Sequence, residues 1–211
     1  MKSKIVITIG RQFCSGGAEI GKKVAEHFGI PYYDKKFIDH TAEVLNCSPD
    51  LISKYDEKPV RMWGVYGFQY GSSWYASDPS LMLPIGIKIA DAQFETVKKL
   101  ASEQSCVIVG RCGNYLLGDR ADTVRVFIRA DMDSRVKRAE KLYGIKESEA
   151  VKLIRKTDKI RSDYHGTHTQ QKWGAAENYD LIVNTSSCGI DNAVKTIIAY
   201  IESIDNGRED I

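Results

Sequence analysis

The sequence predicts an α/β fold: a doubly wound, mostly parallel sheet with helices on both faces. Three observations predict it. Short β-branched runs alternate with longer segments of helical period along the chain. The first run, Lys4 to Ile9, is almost unbroken apolar sequence, as suits a central strand covered on both faces. It stops at Gly10, and a small-residue loop, Cys14-Ser15-Gly16-Gly17, leads into a helical pattern. Strand, glycine loop and helix in that order build a phosphate cradle.

The elements follow in turn. From Gly17 to Phe28 the apolar residues Ile20, Val24, Ala25 and Phe28 recur at helical spacing, and Gly29 ends the helix. Ile30 to Asp34 reads as a short strand ending in an acid, which completes a β-loop-α-β unit. Residues 36–58 are expected to be helical, with a break at Ser48-Pro49. In residues 60–85, Met62, Trp63, Tyr66, Phe68, Tyr70, Trp74 and Tyr75 crowd among glycines and serines without a period. This is an aromatic-rich loop or hairpin insertion, either a substrate lid or a core patch or dimer contact. Residues 86–103 form an amphipathic helix, and Ser105 to Val109 a second buried strand ending in Gly110-Arg111. Thr123 to Ile128 is a third long strand, residues 131–143 and 146–163 are charged helices, Tyr179 to Asn184 is the last strand, and residues 189–203 are a closing helix.

Composition narrows the class. A chain of 211 residues buries a substantial core, in one large domain or two small ones. A net charge of +2 suggests neither a nucleic-acid coat nor a polybasic membrane surface. Five cysteines, an odd number with no C-x-x-C spacing, suggest free thiols in a reducing cytosol rather than a zinc site. The first apolar run is too short for a signal segment, and no run approaches the ~18 apolar residues of a spanning helix. A cytoplasmic protein is expected, with no nucleic-acid or membrane partner.

The loop carries the chemistry and its problem. The motif G-x-x-x-x-G-K-[ST] uses a lysine for the β/γ-phosphates and a hydroxyl for Mg²⁺, whereas Gly17 and Ala18 follow Gly16 here. The loop is therefore a phosphate cradle without its lysine or a glycine turn linking strand to helix. A helix N-terminus contributes ~0.3–1 kcal/mol to a bound anion, up to ~2. Enzymes generally lower barriers by ~8 kcal/mol or more, so transfer needs other cations. Lys22 lies five residues past Gly17, about 7.5 Å along a helix. Side chains lean toward the helix N-terminus, so Lys22 either reaches the loop or belongs to a solvated face. Arg11 sits on the loop's first turn, and Arg129, Arg155 and Arg161 approach from the lid side. Arg111 follows a buried strand, at the edge where open α/β sheets bind ligands. Asp34 ends another strand and is a ligand contact or an N-cap. Ser15, Glu19 and Asp158 are candidate direct or water-mediated Mg²⁺ ligands. His165 and His168 lack a carboxylate or cysteine partner and read as a polar lid segment, and Cys14 and Cys112 as candidate site thiols.

Taken together these residues resemble the cytidylate-kinase-like proteins, divergent relatives of the P-loop nucleoside monophosphate kinases. The resemblance runs over nearly the whole chain. It rests on ITIGRQFCSGGAEIGKKVAEHFGIPYYDKKFI, Tyr32-Tyr33-Asp34, Gly110-Arg111 with Cys112 in place of an Asp, and Val126 to Ala130 leading to Arg135 and Arg138. Asp158 with Arg161 and Asn184-Thr185-Ser186 complete it. It implies a single domain over residues 1–211: a P-loop NTPase-type three-layer α/β/α fold with a helical lid at about 131–175 and an acceptor-side and insertion region at about 36–100. It implies ATP and Mg²⁺ as cofactors and CMP or a related small anionic acceptor. Arg11, Cys14, Ser15, Gly16, Gly17, Ala18, Glu19 and Lys22 would bind the nucleotide; Asp34, Lys35 and Arg111 the acceptor; Arg111, Arg155, Asp158 and Arg161 would serve transfer. The family shares the glycine-for-lysine feature. Lys35 and Cys112 depart from the cytosine-reading pattern and put CMP in question. The alternative is a kinase-fold protein that binds a nucleotide or anion without transfer, and self-association through residues 60–85 is a further expectation.

Overall fold

The computed structural model describes residues 3–34, 36–57 and 85–207. Lys35 and the aromatic segment expected at 60–85, except Ile85, lie outside the described residues. Strands β1 (Val6–Arg11), β2 (Tyr32–Tyr33), β3 (Cys106–Val109), β4 (Thr123–Arg129) and β5 (Leu181–Asn184) form one sheet in the order β2-β3-β1-β4-β5. Every adjacent pair is parallel. The helices are α1 (Gly17–Phe28), α2 (Lys36–Val44), α3 (Pro49–Tyr55), α4 (Ile85–Glu103), α5 (Gly113–Leu116), α6 (Met132–Tyr143), α7 (Glu147–Thr169) and α8 (Thr185–Gly207). Among the described residues, no helix is long and apolar enough to cross a membrane.

The apolar run of β1 divides between two cores, because successive side chains of a strand point to opposite faces. Ile5, Ile7 and Ile9 pack with Ile20 and Val24 of α1 and with Val194, Ile197 and Ile201 of α8. Val6 faces the other way, toward Phe37 of α2, Val97 and Leu100 of α4 and Leu117. Both layers are apolar, so the strand needs no polar face, which is why it reads as continuous. A third core joins α6 to α7 through Val136, Ala139, Ala150 and Ile154, and Phe13 and Cys14 of the glycine loop pack against it. The helical pair expected as a lid is thus bonded to the loop by packing.

Several boundaries differ from expectation. β1 starts at Val6 and continues to Arg11, because Gly10 and Arg11 pair with Phe127 and Ile128 of β4. β2 shrinks to two residues at the sheet edge. Helix α7 continues past residue 163 to Thr169. In its last turns Tyr164, His165 and Thr169 are buried: His165 Nε2 meets Asn114 Oδ1 at 3.3 Å, and Phe94 stacks edge-on against the half-buried His168 at 5.1 Å. The closing helix begins at Thr185 and breaks at Gly189, whose φ of 74° is not helical. The short helix α5 carries no sequence period and arises from a turn: Gly110, Arg111 and Cys112 all have positive φ.

Candidate active site

Everything expected of the glycine loop begins at the C-terminal edge of the sheet, where β1 ends and α1 starts. Gly16 caps α1 in the left-handed region at φ 88° and offers no side-chain oxygen to the helix. The first amides of a helix have no intrahelical acceptor, so the N–H groups of Gly17 and Ala18 are available to an anion. The loop is held from behind. Gln12 N–H donates to Ile128 O at 3.0 Å, and Ser15 Oγ donates to Gln12 O at 2.9 Å and Ile128 O at 3.1 Å. Thr185, in the Asn-Thr-Ser element after β5, donates its hydroxyl to Ser15 O at 2.9 Å.

Helices α6 and α7 grip the same loop. Asp158 of α7 accepts the Phe13 N–H at 2.7 Å and also pairs with Arg135 of α6. Arg161, one helical turn on, donates to Arg11 O at 3.2 Å and lies over the Phe13 ring. Arg138 pairs with Glu19 on the first turn of α1 at 2.5 Å. That bond to Arg138 holds Glu19 below its ordinary range as an acid.

Two guanidinium groups and one backbone amide converge on one carboxylate, Glu57. Arg11 donates both terminal nitrogens to it, at 2.7 and 3.2 Å. Arg161 Nε lies 3.6 Å from its Oε2, and the Arg111 backbone N–H donates to its Oε1 at 3.3 Å. A Cβ on Gly110 would stand 1.9 Å from Glu57 Oε1 and 2.3 Å from Arg11 Nη1, so glycine at φ 81° is what lets this pair approach the strand end. Arg111 is 2% exposed and donates to Asp34 Oδ1 at 3.2 Å, Val109 O at 3.0 Å and Asp56 Oδ2 at 2.9 Å, with its charge over the Phe37 ring.

The electrostatics of the two adjacent acids diverge. Burial opposes ionisation of Glu57, but the charges of Arg11, Arg111 and Arg161 outweigh it and hold the carboxyl well below the usual range. Burial dominates at Asp56 and pushes it up, against the pull of Arg111. Burial and the like charge of Arg11 bring Arg161 down to about 10. Arg11 stays above its ordinary value although burial opposes its charge, because Glu57 and Asp34 face it.

A family model described as the cytidylate kinase-like family matches residues 6–187, which span every strand and the whole glycine loop. The chain belongs to the cytidylate kinase-like family. A cytidylate kinase of Pyrococcus horikoshii is 26% identical over 210 residues, 97% of this chain and 92% of that protein. A uronate isomerase of Corynebacterium glutamicum is 27% identical over 113 residues, and that match spans 49% of this chain and only 21% of the isomerase's length. Among solved structures, an uncharacterized protein from Eubacterium ventriosum superposes with a TM-score of 0.71 at 31% identity, covering 95% of this chain and 99% of its own. A shikimate kinase from Bacteroides thetaiotaomicron, 13% identical, shares the fold at a TM-score of 0.56 over 95% of this chain and 99% of its own. The fold is therefore the P-loop kinase fold expected from the sequence.

For this family member the structure sorts the expected residues. Arg11, Cys14, Gly16, Gly17, Ala18, Glu19, Asp34, Arg111 and Arg161 line one cleft of about 330 Å³. Asp56 and Glu57, which sequence reasoning missed, line it too, as does Arg138, which carried the family resemblance without an assigned role. A signal existed for the acids: Asp56-Glu57 directly follows the C-terminal end of α3, where the helix dipole disfavours negative charge, so a partner outside the helix is needed. Others lie elsewhere. Ser15 does not line this cleft, because its hydroxyl is turned into the backbone behind the loop and the residue is 1% exposed. Lys22 points outward and faces Glu26 at 3.8 Å, on the solvated face of α1. Arg155 is exposed and lines a separate groove with Lys146, Glu147 and Lys152. Arg129 is half exposed and pairs with Asp131 at 3.2 Å. Asp158 stands behind the loop with both oxygens engaged.

The donor set does not fit a protein-held Mg²⁺ by the route the sequence suggested. Ala18 has no hydroxyl, Ser15 donates inward and Glu19 is paired with Arg138. Among the described residues, no group of three or more His, Cys, Asp or Glu side chains is arranged for a metal ion. The cysteines are free. Cys14 is half-buried at the cleft, and Cys112 is buried deeper, with its thiol pushed up by burial.

Proposed function

We propose that the chain is a phosphotransferase that uses ATP to phosphorylate a nucleoside monophosphate, CMP-like, or a related small anionic acceptor. The observation that carries this reading is the convergence of Arg11, Arg111 and Arg161 beside a glycine loop at the C-terminal edge of a parallel sheet. Phosphoryl transfer relies on positioning and charge stabilisation, and arginine forks suit phosphate oxygens. The backbone amides of residues 14–18 receive the triphosphate. Arg111 holds the acceptor's phosphate, and Asp34, 18% exposed beside it, accepts from the acceptor's sugar hydroxyls. Arg161 neutralises the transferred group from α7. An acceptor oxygen attacks the γ-phosphorus, and the bond to the bridging oxygen breaks with its electron pair leaving on ADP. Mg²⁺ comes with the nucleotide and shields its phosphate charge. In this reading residues of about 36–100 shape the acceptor side, residues of about 131–175 the lid, and the protein works in the cytoplasm.

A second reading is a module that binds a nucleotide or anion without transfer. The observation favouring it is that Arg11, Arg111, Arg135 and Arg138 each already face a carboxylate partner. A panel of nucleoside monophosphates with Mg²⁺-ATP, followed by ADP release, separates the two. Turnover on at least one acceptor, abolished by Arg111→Ala, supports the kinase. ATP binding with no ADP release from any acceptor supports the module.

A further inference from the structure

The missing lysine has a steric cause, and its cause carries the replacement. When the motif G-x-x-x-x-G-K is laid with its second glycine on Gly16, the lysine position is Gly17 and the first glycine position is Arg11. Glycine and cation have changed places. The structure shows why the two changes go together. A Cβ on Gly17 would stand 2.5 Å from Arg11 Cβ and 3.0 Å from Arg11 Cγ. No side chain fits at 17 on this backbone while one occupies 11. The Arg11 stem passes under the first turn of α1, and the guanidinium emerges into the cleft lined by Gly16, Gly17 and Ala18.

The head group is set as a two-pronged anion donor. Both terminal nitrogens bond the two oxygens of Glu57, a geometry that equally matches two oxygens of a phosphate. Arg11 is 8% exposed, and Asp34 lies 3.7 Å from its Nη2. We propose that Arg11 is the phosphate-loop cation of this protein, taking from the strand end the charge that a lysine at position 17 would supply from the helix. Glu57 holds the same fork that the β- or γ-phosphate of a nucleoside triphosphate engages. The proposal rests on the nucleotide-binding reading above and adds which residue supplies the charge.

The test uses the full chain with Mg²⁺-ATP, measured by titration calorimetry beside thermal melting. Arg11→Gln keeps the stem and a hydrogen-bond donor for Glu57 but removes the charge. Its ATP affinity is expected to fall about tenfold or more, the scale of a lost charged hydrogen bond. Gly17→Lys alone is expected to lower both melting temperature and ATP affinity, because its Cβ meets Arg11. Arg11→Gly with Gly17→Lys relieves that contact and restores the ordinary motif, so the double variant is expected to exceed both Gly17→Lys and Arg11→Gly in affinity, a non-additive rescue. Wild-type affinity in Arg11→Gln, or a Gly17→Lys variant that melts and binds as well as wild type, overturns the proposal and leaves the nucleotide-binding reading standing. A wild-type chain that binds no Mg²⁺-ATP overturns both.

Discussion

Glu57→Gln removes one negative charge from the point where the guanidinium groups of Arg11 and Arg161 meet the backbone N–H of Arg111. The carboxylate is 14% exposed and lies 2.7 Å from Arg11 Nη1 and 3.6 Å from Arg161 Nε, so water screens it little. Unit charges ~4 Å apart interact with ~4 kcal/mol at an effective dielectric of ~20, and removing one partner of a buried pair costs about 3–5 kcal/mol. Glutamine keeps an acceptor oxygen, so the lower end, about 3 kcal/mol, is expected. For a chain of this size that lowers the melting temperature by roughly 6–12 °C. The pH dependence has a definite sign. Glu57 is held below its ordinary carboxyl value, so its contribution is complete above pH ~4.5 and is lost as the pH falls toward its folded value. Wild type therefore loses stability below pH ~4.5, and the variant loses less over the same window. Glu19, Asp122 and Asp180 are also held low, so a smaller slope remains. The variant's freed arginine charges should raise affinity for Mg²⁺-ATP. Calorimetric melts from pH 3 to 8 and an ATP titration at pH 7.5 read both effects. A melting temperature within 2 °C of wild type throughout, or a weaker nucleotide affinity, would refute the assignment of Glu57 as the arginines' counter-charge.

Other substitutions separate the cleft from its surroundings. Arg111→Lys loses the fork that bridges Asp34 and Asp56, and a loss of about 3 kcal/mol is expected in denaturant titration. Asp158→Asn leaves Arg135 without its carboxylate partner while still accepting the Phe13 N–H, so about 3–5 kcal/mol should be lost and amide exchange at residues 12–15 should quicken. Lys22→Ala and Arg155→Ala, both on solvated surfaces away from the cleft, should leave ATP affinity within twofold of wild type by titration calorimetry. Iodoacetamide at pH 8 followed by mass spectrometry should label Cys14, Cys47 and Cys188 first, because Cys106 and Cys112 are 0% and 4% exposed and burial raises both thiols, Cys106 to about 12.

Local sequence determined the framework. The alternation of β-branched runs and helical periods, with Gly29 and Pro49 as punctuation, gave the strands and helices of the doubly wound sheet in the right order, because period and capping act over a few residues. Strand-end position alone singled out Asp34 and Arg111, since the C-terminal edge of a parallel sheet is where side chains leave the core. The glycine loop was legible as a phosphate cradle, but its charge was not. Lys22 was a candidate by nearness in sequence and Lys35 by the family resemblance; Lys22 turned outward on its helix, and Lys35 lies outside the described residues.

Tertiary structure decided the rest. The partners in the cleft are far apart along the chain: Arg11 meets Glu57 across 46 residues, Arg111 meets Asp56 across 55 and Asp34 across 77, and Phe13 meets Asp158 across 145. No sequence period links such pairs, because an ion pair constrains where two side chains end and not how the intervening chain repeats. The sequence by itself said that position 17 brings no side-chain charge to a phosphate. Only the packing of Arg11 beneath the first turn of α1 says why a glycine stands there, and which side chain takes the space and the charge.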